Sequence, residues 1–408
     1  MFISCLELVV IEVAVIFFTV AVIMVLSFVG DLVSRRVLLP NVILLIVSGI
    51  VCGPVLGMFD RSALVEVIPF LAPLTIAFIG FDAGMHMDVH EVLAQSRRAV
   101  LLSVLGFVFS TTVVGVFLRF VFGLRWAFAF LLSSAWGGVS MATVSAVCKH
   151  LRVRKETVTT LTMSSLIDDP IVLVSTLTIL SYITLGSLSV GEVSVLLVRN
   201  ACVSVFLGAV FGLGWLNILY YSCKSEFTYT FTLAAVLLVY SGTELLGGTG
   251  GIAIFVFGLI LGNGRSLAKS LRLKVDVDEL FELKGLIGRF HGELTFILST
   301  FFFVFIGLLY IWTGWFELFL GLIISLLLHG CRLVIVKVGT WRSSLASDFP
   351  AIGLIVGKGV ASAAMSTLPL AYGLADAEMF SSVALNVILL TNIISIVLPI
   401  LVARSSVK

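Results

Sequence analysis

The stretch MSSLIDDPIVLV, residues 163–174, places two adjacent acids and a proline between apolar residues on both sides. The chain around it is strongly apolar: 60% of its 408 residues are hydrophobic, only 12% are charged, and the mean hydropathy is +1.21. A soluble domain would expose far more charge, so this composition predicts an integral membrane protein. Because backbone polar groups in lipid must be satisfied within the chain, we expect an all-α helical bundle.

Apolar runs long enough to cross a bilayer, roughly 20 helical residues each, recur along the whole chain. They predict about 13 transmembrane helices in a single domain over residues 1–408. We number these spans 1 to 13 in chain order: 7–30, 41–58, 63–86, 99–122, 126–148, 157–183, 190–222, 227–245, 249–262, 294–312, 315–339, 349–372 and 380–403. We expect no soluble regulatory domain, no cofactor and no nucleic-acid partner. The cysteines are scattered without metal-like spacing.

The basic residues of the loops divide unevenly between the two sides of this topology. When successive loops are placed on alternate sides, Arg61, Arg119 and Arg125 lie opposite the side that holds most other loop lysines and arginines. Basic loops stay in the cytoplasm. The pattern therefore predicts a multi-pass protein of the plasma membrane with its amino terminus outside and its carboxyl terminus in the cytoplasm.

Three pairs of short motifs recur in the same chain order, each with the same odd offset in span number. SGIVCGP in span 2 is similar to FGLILGN in span 9, IAFIGFDAG in span 3 to FVFIGLLY in span 10, and GGVSMATVSA in span 5 to GKGVASAAMST in span 12. An odd offset reverses the direction of the second copy, so we predict two inverted-topology repeats, as in secondary transporters. The alternative is that small residues recur wherever membrane helices pack closely.

Spans 5 and 12 carry dense glycine, serine, alanine and threonine at their centres. These residues predict two broken helices that cross near the midplane of the bilayer, where free helix ends and carbonyl groups can hold ions. The alternative is a pair of continuous helices in tight contact.

Two adjacent acids inside the membrane are costly, since each adds roughly 2.5 to 3.5 kcal/mol on insertion scales when it is ionised. On a helix, neighbouring side chains point about 100 degrees apart, so one of Asp168 and Asp169 can contact a basic partner while the other faces a cavity. Burial and a nearby like charge both favour the protonated form of a carboxyl group. At least one of the pair could therefore bind either a proton or a small cation.

Several further polar residues lie within the predicted spans. Arg332 in span 11 is the expected structural partner of Asp168, and Lys358 lies in the predicted break of span 12. Asp82 is either part of a funnel through which ions enter or a solvated residue at a helix end. His329 lies on the same helix face as Arg332 and could tune a response to pH, although a lone histidine is more often a packing residue. Glu12 could face a subunit contact.

Together these motifs resemble the monovalent cation/proton antiporter superfamily, in the branch of sodium/proton exchangers with an aspartate pair. The resemblance is carried by Asp168 and Asp169, which follow GGVSMATVSAVCKHLRV, and by GTGGIAIFVFGLILGN, FIGFDAGMHMD and GKGVASAA. In the last motif Lys358 takes the place of the family's arginine.

The resemblance implies roles for these residues and parts of the chain. Asp169 would carry the transported ion or proton, and Asp168 would be bridged to Arg332. A mobile core, for which we expect residues 63–183 and 294–403, would move against a dimerisation part, residues 1–58 and 190–262, within a homodimer.

Three departures from the family pattern bear on the site. Ser164 stands where the asparagine branch has a glutamate, and Val139 and Ser140 stand where many members have threonine and aspartate. Ion coordination from span 5 would then rely on Ser140, Thr143 and backbone carbonyls. Arginine at position 332, where the aspartate branch commonly has lysine, argues against a stoichiometry in which that residue releases a proton.

The sequence thus predicts a secondary antiporter rather than an enzyme, exchanging Na⁺, or alternatively K⁺ or Li⁺, for H⁺ at Asp169. The bilayer and a second copy of the chain are the expected partners. An intramembrane aspartyl protease using Asp82 and Asp169 is an alternative, but the glycine-x-glycine-aspartate signature is absent. A sodium-coupled symporter for an organic anion is another, since inverted repeats serve such proteins too, and a cation channel is a third.

Overall fold

The computed structural model describes residues 21–25, 28–30, 41–58, 61–87, 97–148, 154–184, 190–222, 228–264, 267, 277–310, 314–341, 346, 348–374 and 377–405. Every regular element within these ranges is helical. Six of the described helices are long and apolar enough to cross a membrane. Most of span 1, including Glu12, lies outside the described residues.

The helices follow the predicted spans closely. In chain order they are α1 (Asn41–Ile50), which continues into a π-helical turn (Val51–Val55), α2 (Arg61–His86), α3 (Arg97–Phe122), α4 (Trp126–Ala135), α5 (Met141–Cys148), α6 (Lys155–Thr184), α7 (Val190–Ser222), α8 (Thr228–Leu245), α9 (Gly250–Gly262), α10 (Val277–Leu308), α11 (Trp315–Gly339), α12 (Phe349–Ile352), α13 (Val360–Ala371) and α14 (Ala377–Ser405). Both α7 and α11 have the predicted bounds. By contrast, α10 begins at Val277 instead of residue 294, because its charged first turns remain helical.

Spans 5 and 12 are each divided into two helices. Residues 136–140, WGGVS, separate α4 from α5, and residues 353–359, GLIVGKG, separate α12 from α13. Glycine disfavours helix relative to other residues, and both segments hold two or more glycines. We call them the first and second unwound segments. Since nearly all their residues are buried, their backbone polar groups need partners inside the protein.

The helices pack as two groups. Helices α3 to α6 pack with one another and with α11 to α14, and we call this group the core helices. The other group, the scaffold helices, contains α1, α2 and α7 to α10. Within this second group, α2 packs chiefly on α9, and α10 packs chiefly on α1.

Glycine contacts account for the close packing of these two helix pairs. A side chain at Gly258 in α9 would clash with the backbone carbonyl of Phe81 in α2, and one at Gly307 in α10 would clash with that of Ile46 in α1. Without a side chain, the paired backbones approach closely, which is a common way of packing membrane helices. In these pairs of scaffold helices, the backbones are therefore in direct contact.

The start of α6 is joined to the loop before α12. The carboxylate of Asp348 accepts a hydrogen bond from the backbone N–H of Arg154, at 3.2 Å, and one from the hydroxyl of Thr157, at 2.6 Å. An acid at this position satisfies groups that the first turn of a helix leaves unpaired. Its negative charge also interacts favourably with the positive end of the helix dipole.

Candidate ion-binding site

The two unwound segments contact each other directly. The backbone N–H of Ser140 donates to the carbonyl of Gly357 at 2.8 Å, and Lys358 Nζ donates to the carbonyl of Gly138 at 2.6 Å. Gly357 lies against Thr143 with no room for a side chain. Polar groups that each break leaves without a helical partner are thus satisfied by the other segment.

Asp168 in α6 holds the first unwound segment in place. Its side chain is only 2% exposed. One carboxylate oxygen accepts from the hydroxyl of Ser103 in α3, and the other accepts from the backbone N–H of Val139 at 3.0 Å. Both oxygens act as acceptors, which is the behaviour of an ionised carboxylate.

Two buried cations lie beside Asp168. Arg332 is 6% exposed and Lys358 is 1% exposed, and both line a cavity of about 20 Å³ together with Asp168 and Ser103. Among the described residues, no salt bridge joins Arg332 to Asp168, and Arg332 Nε has no hydrogen-bond partner. The direct bridge implied by the resemblance is therefore absent, and Arg332 acts on Asp168 across the cavity.

Asn392 in α14 joins the second unwound segment to α5. Its Nδ2 donates to the backbone carbonyl of Lys358 at 2.9 Å, and its Oδ1 accepts from the hydroxyl of Thr143 at 2.7 Å. The sequence analysis did not select Asn392 or Ser103. The only signal for either was a polar residue within an apolar span.

Asp169 differs sharply from its neighbour. The side chain is half-buried and makes no hydrogen bond with the described part of the protein. Asp82 in α2 is also half-buried, lies close enough to Asp169 for their charges to interact, and pairs with Nδ1 of His86 at 3.3 Å. Asp169 therefore keeps its carboxylate oxygens available, on the side of the protein where Asp82 lies.

One more buried hydroxyl near the acids is unengaged. Ser164 lies one helical turn before Asp168, and its Oγ has no partner among the described residues. Ser140 is 6% exposed and Thr143 is 1% exposed, and both lie where the first unwound segment meets α5. The structure therefore brings Asp168, Ser140, Thr143, Lys358 and Arg332 together, with Asp169 on the adjacent face of α6.

At the two unwound segments, this arrangement places Asp168, whose oxygens are engaged, next to Asp169, whose oxygens are available. Residues 14–404 match the profile of the family described as sodium/hydrogen exchanger, transmembrane. The chain belongs to the sodium/hydrogen exchanger family. It is thus a multi-pass membrane protein, and the members of this family are cation/proton antiporters, not enzymes. The aspartyl protease alternative therefore has no support.

The names of individual relatives specify different cations. The K(+)/H(+) antiporter NhaP2 of Shewanella sp. (strain ANA-3) is 27% identical over 239 residues, which cover 57% of this chain and 41% of that protein. The Na(+)/H(+) antiporter 1 of Methanocaldococcus jannaschii is 24% identical over 290 residues, which cover 68% of this chain and 65% of that protein. The matched stretch thus spans less than two thirds of either relative.

A solved structure shares the fold over nearly the whole chain. The sodium proton antiporter MjNhaP1 from Methanocaldococcus jannaschii at pH 8 superimposes with a TM-score of 0.76 at 20% identity, covering 96% of this chain and 98% of that one. An electron-microscopy structure of MjNhaP1 gives a TM-score of 0.68. The chain therefore has the membrane fold of that antiporter.

Proposed function

We propose that the protein is a secondary antiporter that exchanges Na⁺ for H⁺ by alternating access, with K⁺ and Li⁺ as alternative cations. One observation carries the assignment of the carrier residue. Asp168 has both carboxylate oxygens engaged, whereas the adjacent Asp169 is half-buried and makes no hydrogen bond with the described residues. A group that binds and releases ions must have free oxygens, so Asp169 is the carrier.

Competition at Asp169 explains the coupling of the two ions. The deprotonated carboxylate binds a dehydrated cation, whereas the protonated form is neutral and has no charge to offer. An empty, charged site crosses an apolar barrier poorly because an ionised acid in the membrane is costly. Only the site loaded with a cation or with a proton moves, so one ion crosses in exchange for the other.

Oxygen ligands for the cation come from the first unwound segment and α5. Ser140, Thr143 and backbone carbonyls near the break supply uncharged oxygens of the kind that small hard cations prefer. Helix ends at such a break are a recurring ion site in transporters. Arg332 and Lys358 offset the charge of Asp168, which leaves Asp169 as the one acid of the pair that an incoming ion must neutralise.

Movement of the core helices against the scaffold helices would expose Asp169 to each side in turn. The close backbone contacts of the scaffold favour a rigid frame, with α2 and α10 in that frame and not in the moving part. We further propose that the two contacting breaks are the crossing point of two inverted repeats. The scaffold helices would form the contact within a homodimer. The protein would lie in the plasma membrane with its amino terminus outside. The distribution of loop lysines and arginines supports this orientation.

Exchange in vesicles tests the assignment of Asp169. Purified protein is placed in vesicles that contain a pH-sensitive dye, and Na⁺, K⁺ and Li⁺ are added in turn. We expect cation-driven pH changes in the unaltered protein and none with Asp169→Asn. Ser175→Ala is the control, since Ser175 lies in α6 and its hydroxyl bonds only to its own helix. Cation-driven pH recovery in Asp169→Asn at the unaltered rate would overturn the assignment.

A further inference from the structure

His329 is a buried histidine that the proposed exchange does not yet use. It lies in α11, three residues before Arg332, and is 4% exposed. Its Nδ1 is 2.7 Å from the backbone carbonyl of Ser325, and its Nε2 is 3.3 Å from Oγ of Ser395 in α14. Both ring nitrogens therefore have a defined partner.

The partners decide where the hydrogen atoms lie. A carbonyl can only accept, so Nδ1 of His329 carries a hydrogen and donates it to Ser325. Oγ of Ser395 accepts the backbone N–H of Val356 at 2.8 Å, and its own hydrogen points to the unprotonated Nε2. When the imidazole is neutral, each of these three hydrogen bonds therefore has one defined donor and one defined acceptor.

Burial favours that neutral form, because a charge held away from water is costly, and the neighbouring basic side chains favour it further. Arg332 follows it on the same helix face, and the ammonium group of Lys358 lies within electrostatic range. A protonated imidazole would add a positive charge to this buried region and would give Nε2 a hydrogen, so the Ser395 hydroxyl would lose its acceptor.

The chain of bonds ends on the second unwound segment. Val356 lies two residues before Lys358, whose backbone carbonyl is held by Asn392 of the same helix α14 that carries Ser395. We propose that His329 is a positioning residue: its neutral imidazole orients the Ser395 hydroxyl, which fixes Val356 and thereby the second unwound segment with Lys358. This role rests on the proposed exchange function.

Nitrogen NMR of protein labelled with ¹⁵N-histidine tests the hydrogen positions without any transport measurement. The signals lost in His329→Gln are assigned to His329. At neutral pH we expect a protonated Nδ1 and an unprotonated Nε2, which is the less common neutral tautomer. The Nε2 signal should shift in Ser395→Ala and stay in place in Ser325→Ala. An Nε2–H tautomer, a charged ring, or an Nε2 signal that ignores Ser395→Ala would overturn the proposal.

Exchange rates of the two serine variants test the positioning. Ser325 and Ser395 are both fully buried, but the hydroxyl of Ser325 bonds only to its own helix, at Gly321. Ser395→Ala leaves the N–H of Val356 without its acceptor, and we expect an exchange rate lower by about tenfold, the size of effect that an unsatisfied buried group produces. Ser325→Ala should change the rate by less than about twofold. Equal rates for the two variants would contradict the role.

Rescue at His329 separates positioning from simple packing. Glutamine can accept from Ser395 and cannot titrate, whereas leucine fills space without accepting. We expect His329→Gln to retain most of the exchange and His329→Leu to lose about tenfold, as Ser395→Ala does. Equal loss in both variants would overturn the proposal. A failure of the proposed function would instead show as no exchange in the unaltered protein, and the NMR result would be unaffected by it.

Discussion

At the scale of single residues, adjacency in the sequence does not mean similarity in role. Asp168 and Asp169 point about 100 degrees apart on α6, so one meets Ser103 and the first unwound segment while the other is left free. The same rotation leaves Asp168 to hold the first unwound segment and leaves Asp169 available for the proposed transport role.

The division predicts opposite effects on stability. Asp168→Asn replaces one accepting oxygen with an NH₂ group that cannot accept from Val139 or Ser103. This should lower the free energy of unfolding by about 1 to 3 kcal/mol. Asp169→Asn removes a partly buried charge without a hydrogen-bond partner and should leave stability unchanged or raise it.

Thermal unfolding in detergent, followed for both variants beside the unaltered protein, measures this difference. The melting temperature should fall for Asp168→Asn alone. A larger fall for Asp169→Asn would mean that the free acid is the structural one.

Sequence reasoning selected the charged members of the candidate site, together with Ser140 and Thr143, and missed Ser103 and Asn392. Asp168, Asp169, Arg332 and Lys358 stand out because a charge in an apolar span requires an explanation. Ser103 and Asn392 do not, since a lone serine or asparagine can bond to its own helix. Their partners lie 65 and 249 residues away in the chain, and only the folded structure brings them together.

At the scale of elements, the contact between the two interrupted helices depends on a glycine in one that lies against a side chain of the other. Gly357→Ala would place a methyl group against Thr143 and Asn392. We expect it to abolish exchange, because the two unwound segments would have to separate. Gly330→Ala in α11 is the matched control, since nothing lies within 4 Å of the added carbon.

Vesicle exchange and melting temperature should be measured together for these two variants. Gly330→Ala should behave as the unaltered protein in both. Normal exchange in Gly357→Ala would show that close contact of the segments is not required.

Composition predicted helix positions well and helix ends less well. Spans 7 and 11 are bounded by polar residues, and α7 and α11 have the predicted limits. Span 10 was expected to begin at residue 294 because DELFELKGLIGRF is charged. Hydropathy reports where a helix enters lipid, but it does not report where the helix begins. Because glutamate and lysine are good helix formers, α10 extends beyond the apolar stretch.

At the scale of the whole molecule, the grouping of helices was the least predictable feature. Packing is decided by which backbones can approach, and that depends on which glycines face each other across helices. The order of motifs along the chain does not contain this information.

A cross-link between the two groups of helices tests the proposed movement. Leu177 in α6 faces Gly251 in α9, and Gly212 in α7 faces Ile260 within the scaffold. In a background without native cysteines, we expect oxidation of Leu177→Cys with Gly251→Cys to stop exchange, and reduction to restore it. Oxidation of Gly212→Cys with Ile260→Cys should leave exchange intact. Unchanged exchange in the oxidised first pair would argue against movement of the core past the scaffold.

The bond from Asp348 to the start of α6 has a mechanical consequence. It fastens the helix that bears both acids to the loop that leads into α12 and the second unwound segment. If α6 moves along its axis, as the proposed mechanism requires, Asp348 would carry that displacement to α12. The second unwound segment would then move together with the helix that bears the two acids.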